Sequence, residues 1–323
     1  MIAIDRIVAA IPDALTATRL DLPGERIEGK VRDLYVIDGL RVLVATDRFS
    51  AFDRVLGAIP FRGQVLNELS AWWFGQTADI VANHLVEVID PNVCIGREAV
   101  ALPVEVIVRG HITGVTSTAL WTLYNDGVER PYGLELPAGL RKNDALPHAV
   151  ITPTTKGGPG DHDERLSEVE LVERGLVDAA RWAEVRRVAL ALFARGQELA
   201  ARGGLVLVDT KYEFGLIGDQ LVLIDEVHTP DSSRYWTAES WARCRGTDEE
   251  PAGFSKEFLR LWFVAQGFAG DGEVPALPPE LIAQASQRYQ AVYEMLTGRD
   301  FKPAAAPAGT RVEAAVSAWR GRI

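Results

Sequence analysis

The 323-residue chain contains only two cysteines, and its 45 acidic residues outnumber its 34 basic residues. Cys94 and Cys244 lie far apart and form no CxxC pair, so their spacing indicates neither a zinc site nor a disulfide framework. We expect both to be buried, unreactive thiols. The net charge of −11 repels a phosphate backbone and argues against general nucleic-acid binding. An anionic small-molecule substrate would therefore need a local basic pocket.

Long uninterrupted apolar runs are also missing. The opening segment MIAIDRIVAAIPDALTATRL carries acids and a proline within its apolar run, unlike a signal peptide, and no apolar stretch of 18 residues follows. We therefore expect no membrane association and a location in a reducing cytoplasm.

The chain exceeds the usual size of one domain, and the short apolar segment PVEVIVRG gives way to polar sequence. This predicts two lobes, residues 1–107 and 108–323.

Hydrophobic periodicity predicts the main regular elements. The segments RIEGKVRDLYVID and RVLVATD are typical of a hairpin whose turn is built on Asp38 and Gly39. Apolar residues at helical spacing predict amphipathic helices over residues 63–84, 181–204 and 278–298. We assign the apolar stripes of these helices to the core.

Other segments carry little periodicity. Residues 137–165 concentrate Pro, Gly, Thr and charge, so we predict a long loop that serves as a functional lid or a linker. The segment FKPAAAPAGT, after the last amphipathic helix, is expected to be a surface linker. In that helix Tyr289 belongs to the apolar stripe, and we assign its side chain to the core.

One charged segment carries the strongest chemical signal. The runs LVLVDTKYEFGLI and QLVLIDE flank a Gly-Asp turn at residues 218–219, which indicates a hairpin. Because side chains alternate along a strand, Asp209, Lys211 and Glu213 share one face. A surface hairpin with a solvated polar face explains this spacing as well as a divalent-cation site does. Mg²⁺ prefers hard oxygen ligands, often one or two carboxylates together with nucleotide phosphates.

The register of this hairpin decides which carboxylates face each other. With a two-residue turn, Glu213 lies opposite Ile224. A one-residue bulge, for which Gly215 is a candidate, instead sets Glu213 opposite Asp225. In that register two carboxylates are available for a cation, and Lys211 limits the repulsion between them.

Six motifs occur in the order found in the SAICAR synthetase (phosphoribosylaminoimidazole-succinocarboxamide synthase) family of purine biosynthesis, which the chain resembles over residues 25–240. They are EGKVRDLY, ATDRFSAFD, VEVIVRGHITG, ITPTTK with DHDE, LVDTKYEFG and DEVHTPDSSRYW. The resemblance implies an α+β fold with a small β-rich lobe like a kinase small lobe. It also implies a larger ATP-grasp-like lobe, ATP in the cleft between the two, and a C-terminal helix of the longer family form.

The resemblance further implies a ligase that joins carboxyaminoimidazole ribonucleotide (CAIR) to L-aspartate, driven by ATP hydrolysis with Mg²⁺. Gly29 lets the backbone approach the ATP phosphates and Lys30 neutralises them. By family match Glu213 and Asp225 hold the Mg²⁺, which favours the bulged register. Family position also places Asp53 near the substrates, where it could orient or deprotonate the aspartate amine. We count Lys211 with Asp53 as a candidate catalytic residue.

Family positions for the ribonucleotide fall on Arg109 and Arg234, whose planar guanidinium groups suit phosphate or carboxylate. A structural salt bridge explains either arginine alone equally well. Ser233 and its neighbour Ser232 offer further donors to the same anion. The sequence does not define the oligomeric state.

Two further ribonucleotide contacts fall in segments that are harder to align. Lys142 in LRKND is one candidate. Many family members have Gly-Ser where this chain reads GVTSTALW, so we favour Ser117, and then Thr116, as the hydroxyl that contacts the phosphate.

A lysine beside the phosphates and a two-carboxylate Mg²⁺ site resemble the apparatus of γ-phosphoryl transfer, which predicts an acyl phosphate intermediate. One alternative is another ATP-dependent ligase or phosphotransferase that uses the same cleft with a different acceptor. A second is a nucleotide-sensing pseudoenzyme. The joint presence of Lys30, Glu213, Asp225 and Arg234 disfavours the second alternative.

Overall fold

The structure, a computed structural model, describes residues 1–157, 164–247, 249–254 and 256–322, and its fold is α+β. The strands are β1 (Glu25–Glu28), β2 (Arg32–Ile37), β3 (Leu40–Ala45), β4 (Arg48–Ala51), β5 (Arg54–Ala58), β6 (Leu85–Asp90), β7 (Val93–Arg97), β8 (Val100–His111), β9 (Ala145–Ile151), β10 (Thr154–Thr155), β11 (Leu205–Ile217), β12 (Gln220–Ile224) and β13 (Ser233–Thr237). The helices are α1 (Ile4–Ala9), α2 (Arg62–Gln76), α3 (Leu120–Asn125), α4 (Glu168–Glu173), α5 (Ala179–Arg202), α6 (Ala238–Cys244), α7 (Glu257–Ala265), α8 (Pro279–Thr297) and α9 (Ala308–Arg320).

The first sheet is antiparallel, with the strand order β1-β2-β3-β7-β6. The predicted hairpin β2–β3 is confirmed, and its turn residues Asp38 and Gly39 both have left-handed φ angles, 47° and 78°. Such angles are what a two-residue hairpin turn requires. The predicted helix over 63–84 is confirmed as α2, but it ends at Gln76. Ile80, which the prediction placed within the helix, therefore lies in the turn that follows.

The second sheet is built around β11, which pairs with β8, β12 and β13. Its polar and apolar faces separate as the alternation predicts. Val208, Tyr212 and Phe214 are buried. Helix α5 packs across β11, and the predictions of α5 and α8 are both confirmed, with Gly298 ending α8 at φ 68°. The charged face of β11 is thus turned away from the core.

The prediction of one long loop over residues 137–165 is wrong for two segments, because β9 and β10 both pair with β8. Leu146, Val150 and Ile151 are buried in this pairing. Their apolar pattern is short and is flanked by turn-forming residues, so the composition of the whole segment conceals it. Residues 158–163, which include most of the DHDE motif, lie outside the described residues.

The C-terminal segment crosses back to the first sheet. The prediction of a surface linker over FKPAAAPAGT is wrong at both ends, because Phe301 is buried and residues 308–310 already belong to α9. Val312, Val316 and Trp319 of α9 are buried in one cluster with Val42 and Ile95 of that sheet. The division at residue 107 stays a prediction, and β8 runs continuously through that position.

A membrane-spanning element was not expected from the sequence. No helix within the described parts of the chain is both long enough and apolar enough to cross a membrane.

Candidate active site

A long cleft runs between the two sheets. Its first part is a cavity of about 400 Å³ with apolar walls that include Leu34, Leu43 and Ile224. Lys30 and Asp225 line this cavity and also the next one, so the two are continuous. An apolar recess that opens into a charged chamber suits a ligand with a flat ring at one end and anionic groups at the other.

The turn between β1 and β2 carries two predicted phosphate-binding residues, Gly29 and Lys30. The Gly29 amide donates a hydrogen bond to the Arg32 carbonyl (2.8 Å), which closes the turn. The Arg48 guanidinium donates to the carbonyls of Gly29 (2.8 Å) and Lys30 (3.2 Å) and fixes the turn from behind. The Lys30 ammonium lies 2.5 Å from a carboxylate oxygen of Asp53, so the structure brings these two predicted site residues together.

Asp53 lies in the turn of hairpin β4–β5, which is conformationally strained. Phe52 and Asp53 both have left-handed φ angles, 51° and 57°, a conformation that costs non-glycine residues about 1–2 kcal/mol each. Phe52 packs edge-to-face on Phe268 (5.8 Å between ring centroids) and lies under the Arg260 guanidinium (5.0 Å). These contacts hold the turn against the cleft, with Asp53 on the cleft side.

The charged hairpin has the register of a two-residue turn, because Glu213 pairs with Ile224. The bulged register, with Glu213 opposite Asp225, is therefore wrong. A register shift does occur next to Gly215, but on the other edge of β11, in its pairing with β8. Asp225 follows the end of β12 with a left-handed φ of 66°, and this change of backbone direction brings its side chain to the cavity that Glu213 also lines.

Glu213 lies in a network of two lysines. The Lys211 ammonium contacts Glu213 (2.9 Å) and Glu105 (2.6 Å), while Lys156 forms a second ion pair with Glu213. Burial opposes the charge of Lys211, but the attraction of Glu213 and Glu105 outweighs it and raises the pKa of Lys211 above its ordinary value. Lys211 is therefore a fixed positive charge in the middle of the cleft.

Asp225 is held by Arg32, whose guanidinium pairs with both Asp225 and Glu226 (2.7 Å to Glu226). Burial opposes the charge of Asp225, but Arg32 and Lys211 outweigh it and lower the pKa of the carboxyl. Burial raises the pKa of Glu226, whose carboxylate accepts a hydrogen bond from the Thr229 hydroxyl (2.7 Å). The pKa values of these two neighbouring acids are thus shifted in opposite directions.

Two carboxylates, Glu213 and Asp225, line one cavity, and this donor set fits a Mg²⁺ ion that takes its other ligands from phosphate and water. Among the described residues, no group of three or more His, Cys, Asp or Glu side chains is arranged to enclose a metal ion. The residues present therefore suit a cation that arrives with a nucleotide better than a cation held by protein alone.

The far end of the cleft contains both predicted arginines. Asp209 of β11 pairs with Arg109 of β8 on one side and with Arg234 of β13 on the other. Its carboxylate lies 3.1 Å from the Arg109 guanidinium and 3.7 Å from that of Arg234. Arg109 also donates to the Thr152 hydroxyl (2.8 Å). One carboxylate shared by two arginines leaves net positive charge for an anionic ligand.

The other predicted ribonucleotide contacts are arranged less uniformly. The Ser233 hydroxyl is buried and bonds the Thr210 hydroxyl (2.7 Å). Lys142 forms an ion pair with Glu250 and lines a further cavity together with Arg234.

Ser117 is exposed in the turn before α3, and its role stays a prediction. The hydroxyl that the structure places beside Arg234 belongs to Thr113 (3.3 Å). Thr113 comes just before the segment in which the sequence departs from the common family pattern.

Several cleft residues were not assigned from sequence. Lys156 lies within the motif ITPTTK, and Arg32 follows Lys30 at the two-residue spacing of one strand face, so both had a sequence signal. Asp209 was placed on the charged face but given no role. Lys256 and Arg260 line the same cleft from the start of α7, far along the chain, and carried no such signal.

The two cysteines are free and buried, as predicted. Burial raises the pKa of Cys94 to about 12, which keeps it a neutral thiol.

Known proteins resemble this chain along most of its length. The SAICAR synthetase family model matches residues 25–276. The phosphoribosylaminoimidazole-succinocarboxamide synthase of Legionella pneumophila (strain Lens) is 49% identical over 293 residues, which cover 90% of this chain and 93% of that protein. The SAICAR synthase of Saccharomyces cerevisiae, solved in complex with SAICAR, has a TM-score of 0.79 and 32% identity, covering 90% of this chain and all of that one. A SAICAR synthetase (type 2) solved with ADP shares the fold, with a TM-score of 0.65, 22% identity and coverage of 86% and 100%.

The α+β fold, the charged cleft and the relatives named as phosphoribosylaminoimidazole-succinocarboxamide synthases together make this chain an enzyme of the ligase class. The chain belongs to the SAICAR synthetase family.

Proposed function

We propose that this protein joins the carboxylate of CAIR to the amine of L-aspartate and forms SAICAR, with ATP converted to ADP and phosphate. The observation that carries the proposal is the order of groups along one cleft. Lys30, Glu213 and Asp225 lie at one end, Arg109 and Arg234 lie at the other, and Lys211 lines the region between them. A nucleotide and a second anion can therefore meet at Lys211.

ATP occupies the apolar cavity with its phosphates toward Lys30 in this proposal. The ADP bound by a family member supports an adenine nucleotide as ligand. Lys156 and Arg32 line the same cavity and add positive charge where the phosphates pass. We also propose that the cleft lies between a kinase-like small lobe and an ATP-grasp-like large lobe. The proposed location of the protein is the cytoplasm.

Glu213 and Asp225 would hold Mg²⁺, which would supply positive charge to neutralise the ATP phosphates when bound. The low pKa of Asp225 supports this role, because it keeps the carboxylate anionic near neutral pH. Arg32 and Lys156 hold the two carboxylates in position and limit their mutual repulsion.

CAIR places its phosphate near Arg109 and Arg234 and its carboxylate near Lys211. A carboxylate oxygen then attacks the γ-phosphorus, the bond between the γ-phosphorus and the β,γ-bridging oxygen breaks, and ADP leaves. Lys211 remains an ammonium because Glu213 and Glu105 raise its pKa, so it stabilises negative charge on the transferred phosphoryl group.

The amine of aspartate then attacks the acyl carbon, and the C–O bond to phosphate breaks. The neutral amine is the nucleophile, and it must lose a proton as the amide forms. Asp53 is the candidate that orients the amine or accepts this proton, since it lines the middle cavity beside Lys30.

The reaction is tested by measuring ADP release with purified protein and all three substrates, and then with CAIR or aspartate omitted. The proposal predicts full turnover only in the complete mixture. ADP released at the same rate without aspartate would instead indicate that aspartate is not the amine substrate.

The intermediate is tested by labelling the CAIR carboxylate with heavy oxygen and following the label by mass spectrometry. Transfer of the γ-phosphoryl group predicts label in inorganic phosphate, with ADP as the nucleotide product. Label in AMP, with pyrophosphate released in step with SAICAR, would contradict the acyl phosphate and the roles given to Lys30, Glu213 and Asp225.

A further inference from the structure

Asp231 lines the cleft directly before the segment Ser232–Arg234, but both of its carboxylate oxygens are already bonded. The Tyr289 hydroxyl donates to one oxygen (2.8 Å). The Arg62 guanidinium forms an ion pair with the other. Asp231 is therefore a fixed anchor and not a free base.

Both partners of Asp231 come from the protein interior. The Arg62 side chain is 0% exposed, and it also donates to the carbonyl of Arg48 (2.5 Å) and to the Tyr289 hydroxyl (3.3 Å). Tyr289 is 5% exposed and lies on α8. The hydroxyl of Tyr289 thus accepts from one charged group and donates to another, which fixes its orientation.

The anchor sets the backbone that carries the proposed anion-binding residues. The Asp231 amide donates to the Thr229 hydroxyl (3.2 Å), and the Ser233 amide donates to the Thr229 carbonyl (2.9 Å). The carbonyl of Ser232 accepts a hydrogen bond from the Lys211 amide (2.9 Å). A shift of Asp231 would therefore move Ser232, Ser233 and the start of β13 together.

We infer that Tyr289 is a positioning residue that holds the segment Asp231–Arg234 in place to bind CAIR. Tyr289 lies outside the residues 25–276 that the family model matches. The inference rests on the proposed function for its kinetic readout. It assigns α8 a role in the cleft as well as in the core. A second readout, local hydrogen exchange, does not depend on the reaction.

The test compares two variants of the full chain, Tyr289→Phe and Tyr293→Phe. Both remove one hydroxyl and keep the aromatic ring. Tyr293 lies one turn further along α8, where it is half-buried and packs on Phe301 (5.6 Å), away from Asp231. It is therefore a matched control for the loss of a tyrosine hydroxyl from this helix.

For Tyr289→Phe we expect the KM for CAIR to rise about tenfold, the size of effect expected when a carboxylate loses a charge-assisted hydrogen bond. The KM for ATP should stay within about twofold, because Lys30 and the apolar cavity are untouched. Deuterium uptake should increase in residues 229–234 and stay unchanged in α5. Tyr293→Phe should leave all of these values unchanged.

Two results would overturn the inference. The first is wild-type KM for CAIR and wild-type deuterium uptake over 229–234 in Tyr289→Phe. The second is an equal loss for CAIR and ATP with faster exchange throughout the core, which means that Tyr289 only stabilises the fold. If the wild-type protein does not turn over CAIR, the proposed function fails, and the exchange comparison still decides the role of Tyr289.

Discussion

Arg32 and Asp225 form an ion pair across the cleft, linking the first residue of β2 to the residue that follows β12. The contact joins the two sheets at the point where the proposed Mg²⁺ ligands lie. It also keeps Asp225 ionised, because Arg32 and Lys211 outweigh the burial that would otherwise raise its pKa. Glu213 and Asp225 do not face each other across the hairpin, yet they line one cavity. The proposed Mg²⁺ site therefore does not depend on the bulged register.

Glu213→Gln and Asp225→Asn are each expected to lower turnover about tenfold or more at low Mg²⁺, with partial recovery at high Mg²⁺. The physical reason is the loss of one of two anionic oxygen ligands to the cation. Initial rates across a Mg²⁺ series measure the effect. Asp219→Asn, in the turn of the same hairpin, is the control and should behave like the wild type. Unchanged turnover of either cleft variant at low Mg²⁺ would exclude its carboxylate as a ligand.

Arg109→Ala and Arg234→Ala are expected to weaken CAIR binding by about 1.5–3 kcal/mol, or roughly tenfold and more. Each change removes a guanidinium from the pair that shares Asp209. ATP binding should change much less. Titration calorimetry with each ligand separates the two effects, and Arg130→Ala, which removes an exposed ion pair, is the control. Equal losses for CAIR and ATP would show that the arginines do not form the ribonucleotide site.

Lys211 is expected to act as a fixed charge and not as a base. The pKa of Lys211 is raised in the folded protein above the ordinary value of 10.5. The ammonium is therefore fully present below 10.5 and is lost only as the pH rises through the higher folded value. Lys211→Met should therefore lower kcat by the same factor throughout about pH 6–9. The pH–rate profile measures this, with Lys211→Arg as the charge-preserving comparison. Loss of one limb of the profile in Lys211→Met alone would instead identify Lys211 as a titrating catalyst.

Asp53→Asn is expected to lower turnover while leaving the free energy of unfolding within about 0.5 kcal/mol of the wild type. Asparagine tolerates the left-handed backbone of this turn, and an ion pair between exposed groups contributes little to stability. Asp53 and Lys30 are 68% and 58% exposed, so their pair belongs to this class. Urea denaturation and turnover are measured on the same sample. Wild-type turnover would remove Asp53 from the proposed chemistry.

The sequence predicted the elements whose patterns are local. Alternation along β11 placed Asp209, Lys211 and Glu213 on one face, and the Gly-Asp turn predicted the hairpin. Spacing alone predicted Glu213 opposite Ile224 for a two-residue turn, and this is the register observed. The bulged register that the family match favoured is wrong, because the left-handed backbone at Asp225 turns that side chain to the cavity without a bulge.

The contacts between distant segments were the hardest to predict. Tyr289 follows the helical apolar stripe, and it is indeed buried, but periodicity carries no information about where its hydroxyl points. Lys256 and Arg260 reach the cleft only because α7 packs beside hairpin β4–β5. The family resemblance located motifs, whereas such partnerships are set by tertiary packing.

Helix α9 has a consequence for how the protein is made. The first sheet ends at residue 97, but Val312, Val316 and Trp319 complete its apolar cluster more than 200 positions later. During synthesis N-terminal residues such as Leu15 can cover part of this face, but the part under α9 stays exposed until α9 has left the ribosome. Exposed apolar surface on a partly made chain is prone to aggregate. Ribosome-bound chains that stop before residue 308 are therefore expected to retain a chaperone, and chains that extend past α9 are expected to release it.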